Sequence, residues 1–303
     1  MKKYLITLAA VAACGAASAQ SSVNLYGVVD VSLGKTTGTQ TQMYGSATPQ
    51  NNASSRFGVR GREDLGDGLY AAFNFEAEVN PETGATSANM FARAANVSLG
   101  GRFGSFKAGR TTTPSYNAVA AWDVTGAANY GVVNSQFGYA GLGSRHDSEI
   151  SYTTPNLSGF TATVGYILKA DNKDVSKTDL NVIYKNGPLT AALAYNKLDN
   201  KGKNYALGAN YDFGSFKLTG SLQDAQGAGK GRGFSIGGSL PLGLVTLNAD
   251  VARDTRNKDT DFLLEARYAL SKRTFAYAAY QSNGKGKAAA DVNSTMFGVR
   301  HNF

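Results

Sequence analysis

The side chains of this 303-residue chain with the most to offer chemically are its arginines. Arg56, Arg60 and Arg62 are separated by even steps. On a β-strand they share one face, and Phe57 and Val59 set the other. Arg145 stands in another alternating segment, with Asp147 and Glu149 on its face and Ile150 and Tyr152 on the opposite one. Guanidinium stays charged at any relevant pH, so such rows hold or steer anions. Covalent chemistry is poorly served. The two histidines, His146 and His301, lack the spacing of a metal pair, and the phase of their segments turns both outward. A hydrolase needs a nucleophile beside a histidine, and the pattern indicates none. Residues 138–143, GYAGLG, follow no strand and open no helix of the dinucleotide-binding kind. The expectation is no enzyme, no metal site and no cofactor.

The elements that must carry these arginines are strands. Leu189, Ala191, Leu193 and Tyr195 alternate with Thr190, Ala192, Ala194 and Asn196. Phe216, Leu218, Gly220 and Leu222 alternate with Lys217, Thr219, Ser221 and Gln223. About sixteen such segments begin near residues 23, 54, 69, 91, 103, 145, 160, 177, 189, 203, 216, 232, 245, 261, 273 and 292. Each is long enough to cross a bilayer as a tilted strand of about 9–11 residues. The apolar face persists from segment to segment and often ends in Tyr or Phe. The other face holds Arg, Glu, Asp, Lys, Gln and Asn. A soluble sandwich needs an apolar interior, whereas this pattern puts the apolar face outside. Short turns such as NGP at 186–188 alternate with long polar connections such as QDAQGAGKGRG and QSNGKGKAAAD. The expected fold is all-β: a 16-stranded antiparallel transmembrane β-barrel.

Residues 1–19 read as an export signal: Lys2 and Lys3, a short apolar stretch, then Ala17-Ser18-Ala19 as the cleavage site. Val11-Ala12-Ala13-Cys14 offers a rival reading as a lipoprotein box. Cleavage after Ala19 leaves residues 20–303 as one barrel domain, without cysteine and with 28 basic against 22 acidic residues. A positive balance can mark a nucleic-acid binder. Export and the even spread of charge speak against nucleic acid and for a lumen with a positive field.

Several stretches carry a family likeness: SSVNLYGVVD at 21–30, SRFGVRGREDLGDGLYAAFNFE at 55–76, FARAANVSLGGRFGSFKAGRTTTPSY at 91–116, SEISYTTPNLSGF at 148–160 and the terminal FGVRHNF. They lie in order, and the chain resembles a general diffusion porin of the Gram-negative outer membrane, in its β-proteobacterial branch. The resemblance implies sixteen strands, a homotrimer and a long third loop folded into the lumen. It also matches Arg56, Arg93 and Arg145 to the basic wall of the porin constriction. Arg93 counts outward from Val97 and Leu99. Lipid exposure of Arg near the midplane costs about 2–4 kcal/mol, so a bulge or shifted phase is expected to bring it inside. Arg60 and Lys107 are further inward candidates. Asp30, Glu76 and Glu78 are inward by phase, and Glu76 would hold an arginine in place.

The sequence supports the inward loop independently. Residues 111–144 form the longest gap between strands and hold one charged residue, Asp123. A loop this long and apolar is expected to pack inside, giving Trp122, Tyr130, Phe137 and Tyr139 partners. Asp123 would then be the one loop carboxylate opposite three arginines, and the constriction would be positive. The family's Asp-Pro-Phe is here Trp122-Asp123-Val124, so the resemblance does not carry over the loop's detailed path. The expected function is passive diffusion of ions and small hydrophilic solutes, with a preference for anions. Expected partners are outer-membrane lipids, two further copies of the chain, and small anionic or neutral solutes. A non-transporting adhesion barrel and an outer-membrane enzyme are the alternatives. Phe297, Val299, His301 and Phe303 share one face, and this last strand is expected to close the barrel against 23–31. The resemblance adds that a terminal Phe is the mark by which such barrels are recognised for assembly.

Overall fold

The computed structural model describes residues 22–46, 48–199, 201–284 and 291–303. The export signal read at 1–19 lies outside the described residues. Among those described, the strands are β1 (Ser22–Thr36), β2 (Gln42–Tyr44), β3 (Arg56–Gly66), β4 (Leu69–Glu78), β5 (Ala94–Gly101), β6 (Gly104–Thr112), β7 (Arg145–Thr153), β8 (Phe160–Ile167), β9 (Lys177–Asn186), β10 (Leu189–Leu198), β11 (Lys203–Asp212), β12 (Lys217–Asp224), β13 (Arg232–Leu242), β14 (Val245–Asp254), β15 (Asp259–Ala269), β16 (Thr274–Asn283) and β17 (Val292–Asn302). Neighbours pair antiparallel and β17 pairs back onto β1. Sixteen long strands therefore close a barrel, and the three-residue β2 lies along β1. Their starts fall within three residues of those read from alternation.

The barrel is apolar outside and polar inside. Leu222 is 65% exposed and the adjacent Gln223 only 4%. Leu207, Leu218, Leu264 and Phe297 face outward in the same way, while Asn204, Thr219, Asp250 and Glu265 are buried inside. Closure leaves no open sheet edge along the span, which a lipid environment requires. The β3–β4 turn uses Asp67 and Gly68 at φ 52° and 81°. Asp64 braces it, accepting from the N–H of Gly66 at 2.9 Å.

Two registers depart from the sequence reading. First, β17 pairs with Val28–Thr36, which overlaps the expected 23–31 only at 28–31, while residues 22–28 pair with β3 on the other edge of β1. The stagger that barrel closure demands moves the contact along β1. Phe303 and Gly27 exchange two backbone hydrogen bonds of 3.1 Å. Second, β7 carries a bulge. Arg110 alone on β6 faces both Asp147 and Ser148, and Ser148 is left-handed at φ 49°. The extra residue reverses the phase beyond it. His146, expected outward, is buried inside with Nε2 3.5 Å from Asp179 Oδ2. Asp147, expected inward, is exposed and paired with Arg110.

Two short helices lie between β6 and β7, in a stretch where no helical periodicity is evident: α1 (Pro114–Trp122) and α2 (Val132–Phe137). Thr113 caps α1, its Oγ1 accepting from the N–H of Tyr116 at 2.9 Å, and Pro114 opens it. α2 stops at Gly138, φ 57°. Trp122, Tyr130, Phe137 and Tyr139 are all buried, in one cluster with inner-face residues such as Ala194, Ala206 and Leu263. Polar wall residues tie the segment down. Asn181 Nδ2 donates to Pro114 O at 2.7 Å, and Asn196 Nδ2 to Ser115 Oγ at 2.9 Å.

Candidate functional site

Glu76 on β4 is where three arginines meet. Arg93 donates through Nε to Glu76 Oε1 at 2.7 Å, and its Nη1 stands 3.5 Å from Glu78 Oε2. Arg56 Nε is 3.6 Å from Glu76 Oε2, and Arg145 Nη2 is 4.0 Å from Oε1. The Tyr26 hydroxyl is 3.0 Å from Glu76 Oε2. Register brings these groups together: Arg56 lies opposite Glu78, and Glu76 opposite Ala94. Arg93 points inward because it sits at a bend just before β5, where its N–H donates to Glu76 O at 3.2 Å. No bulge within the strand is needed. Arg145 is the first residue of β7, and its long side chain still reaches in, Nε donating to Arg93 O at 2.8 Å. The cluster carries three positive charges against Glu76 and Glu78.

Two cavities of about 450 Å³ flank the cluster and share Arg93 and Arg145. Arg60, Arg62 and Lys107 line the first, with Glu76 as its acid. Arg60 and Arg62 stack on Tyr26 and Tyr70, at 4.8 and 3.7 Å from the ring centroids, which restrains both guanidiniums. The second cavity is bounded by Arg56 and Arg300 on the wall and by residues 126–129 between α1 and α2. Those four residues, Gly-Ala-Ala-Asn, carry no charge.

Asp123 lies apart from both cavities. Its Oδ2 accepts from the N–H groups of Thr125 and Ala127, at 3.1 and 2.8 Å, and from the Thr125 hydroxyl. It closes the turn after α1, and burial pushes its carboxyl above the ordinary range. Arg300 on β17 is absent from the sequence-derived candidates, although its inward phase follows from the terminal alternation. Its level in the barrel depends on the closure register. There its Nη1 donates to Asn52 Oδ1 at 2.7 Å. Asn52 also holds the long segment: its carbonyl accepts from the N–H of Asn129 at 3.0 Å, and its Nδ2 donates to the Tyr130 hydroxyl at 2.6 Å.

A family model described as Gram-negative porin matches residues 7–288. Over the full length of both chains, the sequence is 37% identical to outer membrane porin protein 32 of Delftia acidovorans. It is 29% identical, again over both full lengths, to an outer membrane porin of Bordetella pertussis. The structure of an anion-selective porin from Comamonas acidovorans matches with a TM-score of 0.77 at 28% identity, covering 93% of this chain and 100% of that one. OmpT of Vibrio cholerae in its trimer form shares the fold, with a TM-score of 0.66 at 17% identity and coverage of 93% and 99%.

Proposed function

This chain belongs to the Gram-negative porin family, and from that premise we propose that Arg56, Arg93 and Arg145 form a positive constriction that favours small anions. The protein is an outer-membrane porin: a water-filled channel for passive diffusion of ions and small hydrophilic solutes. Flux follows the concentration gradient and needs no energy input. The observation that carries the anion preference is the convergence of three guanidiniums on Glu76, across a cavity from an uncharged segment. Low-dielectric walls focus such a field, and pores rich in Arg favour anions. In this reading residues 126–129 narrow the bore, and Asp123 braces them without setting selectivity. Arg60, Arg62 and Lys107 extend the positive field toward the short-turn rim. The anion-selective porin of Comamonas acidovorans supports this assignment. Small anionic and neutral solutes are the cargo, and no catalytic step is assigned.

We further propose that residues 1–19 are a cleaved export signal, that the barrel works as a homotrimer surrounded by lipid, and that Phe303 serves assembly. The trimer form of a porin of the same fold supports the second point. Purified protein in a planar bilayer under a salt gradient tests the selectivity. The expected result is stepwise conductance with a reversal potential of anion-selective sign; a cation-selective sign would overturn the preference.

A further inference from the structure

Besides Arg56, Arg93 and Arg145, the second cavity is lined by the guanidinium of Arg300, which the closing strand brings in. Val28 of β1 marks the place. It pairs with Arg56 of β3 on one side and with Asn302 of β17 on the other. Arg300 therefore follows Arg56 around the inner wall with only β1 between them, and the row of arginines crosses the seam where the barrel closes.

Arg300 differs from its neighbours in what holds it. Arg56, Arg93 and Arg145 lie within ion-pair reach of Glu76, and Arg93 reaches Glu78 as well. Arg300 is held by amides. Its Nη1 donates to Asn52 Oδ1 at 2.7 Å, and its Nε and Nη2 both donate to Asn302 Oδ1 at 3.2 Å. Asn52 is buried and cannot readily turn away, since its N–H donates to the Tyr277 hydroxyl at 3.0 Å and its Nδ2 to the Tyr130 hydroxyl at 2.6 Å. Across the ladder from Arg300 stands Asp30. That carboxylate is fully buried and accepts from the Tyr277 hydroxyl at 2.7 Å and from the Ala53 N–H at 2.8 Å. Of this cross-strand pair, Arg300 lines the cavity and Asp30 does not.

A neutral amide satisfies the donors of a guanidinium without cancelling its charge, whereas a carboxylate does both. The cluster at Glu76 sets three guanidiniums against two carboxylates and so presents one net positive charge. Arg300 adds a second, on a different part of the same cavity wall. We propose that Arg300 is a specificity-determining residue of this channel, a fourth charge of the constriction that no ion pair reduces. Asn52 and Asn302 are its positioning residues, which aim the guanidinium and leave its field to act on passing anions. This inference rests on the anion-selective reading of the site and extends it to the closing strand.

Arg300→Gln, compared with the unaltered channel in a planar bilayer under a salt gradient, tests the proposal. The anion-to-cation permeability ratio should fall roughly threefold, the order expected for one unit charge about 4 Å from a passing ion in screened water. An unchanged ratio would overturn the role of Arg300. Arg300→Lys restores the charge and should recover most of the ratio. A ratio as low as that of Arg300→Gln would mean that shape acts here instead of charge, and would overturn it too. The shift toward cations is required whichever sign the unaltered channel shows. A cation-selective unaltered channel thus defeats the reading of the whole site, while an unshifted Arg300→Gln defeats only the part given to Arg300. Should Arg300→Gln fail to fold, Asn302→Asp decides. It puts a carboxylate where Nε and Nη2 now meet an amide and keeps the arginine, so the ratio must fall; a constant ratio would sink the proposal.

Discussion

Gly208 lies directly under the indole of Trp122: a Cβ at Gly208 would stand 2.3 Å from the ring's Cε2. The inner wall is recessed at this one position of β11, and α1 is seated by that recess as well as by its hydrogen bonds. Gly208→Ala should therefore lift the helix. Overpacking of this kind costs about 1–3 kcal/mol. A lower urea midpoint and a noisier open-channel current are expected, since residues 126–129 are joined to α1 through the Asp123 turn. An unchanged midpoint with unchanged current would show that Trp122 does not depend on the recess.

Arg56→Glu reverses one charge of the cluster around Glu76. A unit charge at about 4 Å in water is worth about 1 kcal/mol. A two-unit reversal, reduced by salt screening, should lower the anion-to-cation permeability ratio by roughly tenfold. The reversal potential in a salt gradient reads this directly. Identical potentials for the two proteins would remove Arg56 from the constriction. In the unaltered protein the potential should stay level between about pH 5 and 9, because guanidinium does not titrate there.

Glu76→Gln should act in the opposite sense on selectivity. It removes the carboxylate shared by Arg56, Arg93 and Arg145 and leaves Glu78 as the nearby acid. Anion preference should increase while stability falls by about 1–3 kcal/mol, the cost of leaving partly buried donors unpaired. Reversal potential and thermal midpoint, measured on the same preparation, check both halves. A rise in stability would mean that the carboxylate strains the cluster.

Removing Phe303 should reduce the yield of folded barrel more than the conductance of those that form. Phe303 supplies both backbone hydrogen bonds to Gly27, and its ring covers Gly27 so closely that a Cβ there would stand 2.3 Å from Cζ. Gly27→Ala should share the defect. Yields of heat-stable barrel in outer-membrane fractions measure it, and full yield from both variants would separate closure from assembly.

Alternation along each strand carried most of the fold, because a membrane barrel sorts residues by parity and sixteen strands repeat the same rule. Arg56 and Arg60 were legible for that reason. What parity leaves out is level and interruption. Arg300 joins the second cavity only through the β1–β17 register, which rests on barrel stagger. His146 and Asp147 were misread because one extra residue, Ser148, lies between them and the regular part of β7. α1 and α2 are short, of nine and six residues, too short for a helical period to stand out from the sequence. Asp123 follows from charge counting as a pore residue, yet its own turn supplies the hydrogen bonds its carboxylate accepts.

The Ser148 bulge shows that a barrel strand is read in a frame of two. One inserted residue shifts the frame, and side chains between it and the strand's end change faces unless, like Arg145, they are long enough to reach back. His146 lies in the interior because of such a shift. The lining of this channel can therefore be rewritten by insertion and deletion as well as by replacement, and an alignment scored only for substitutions would miss the edit.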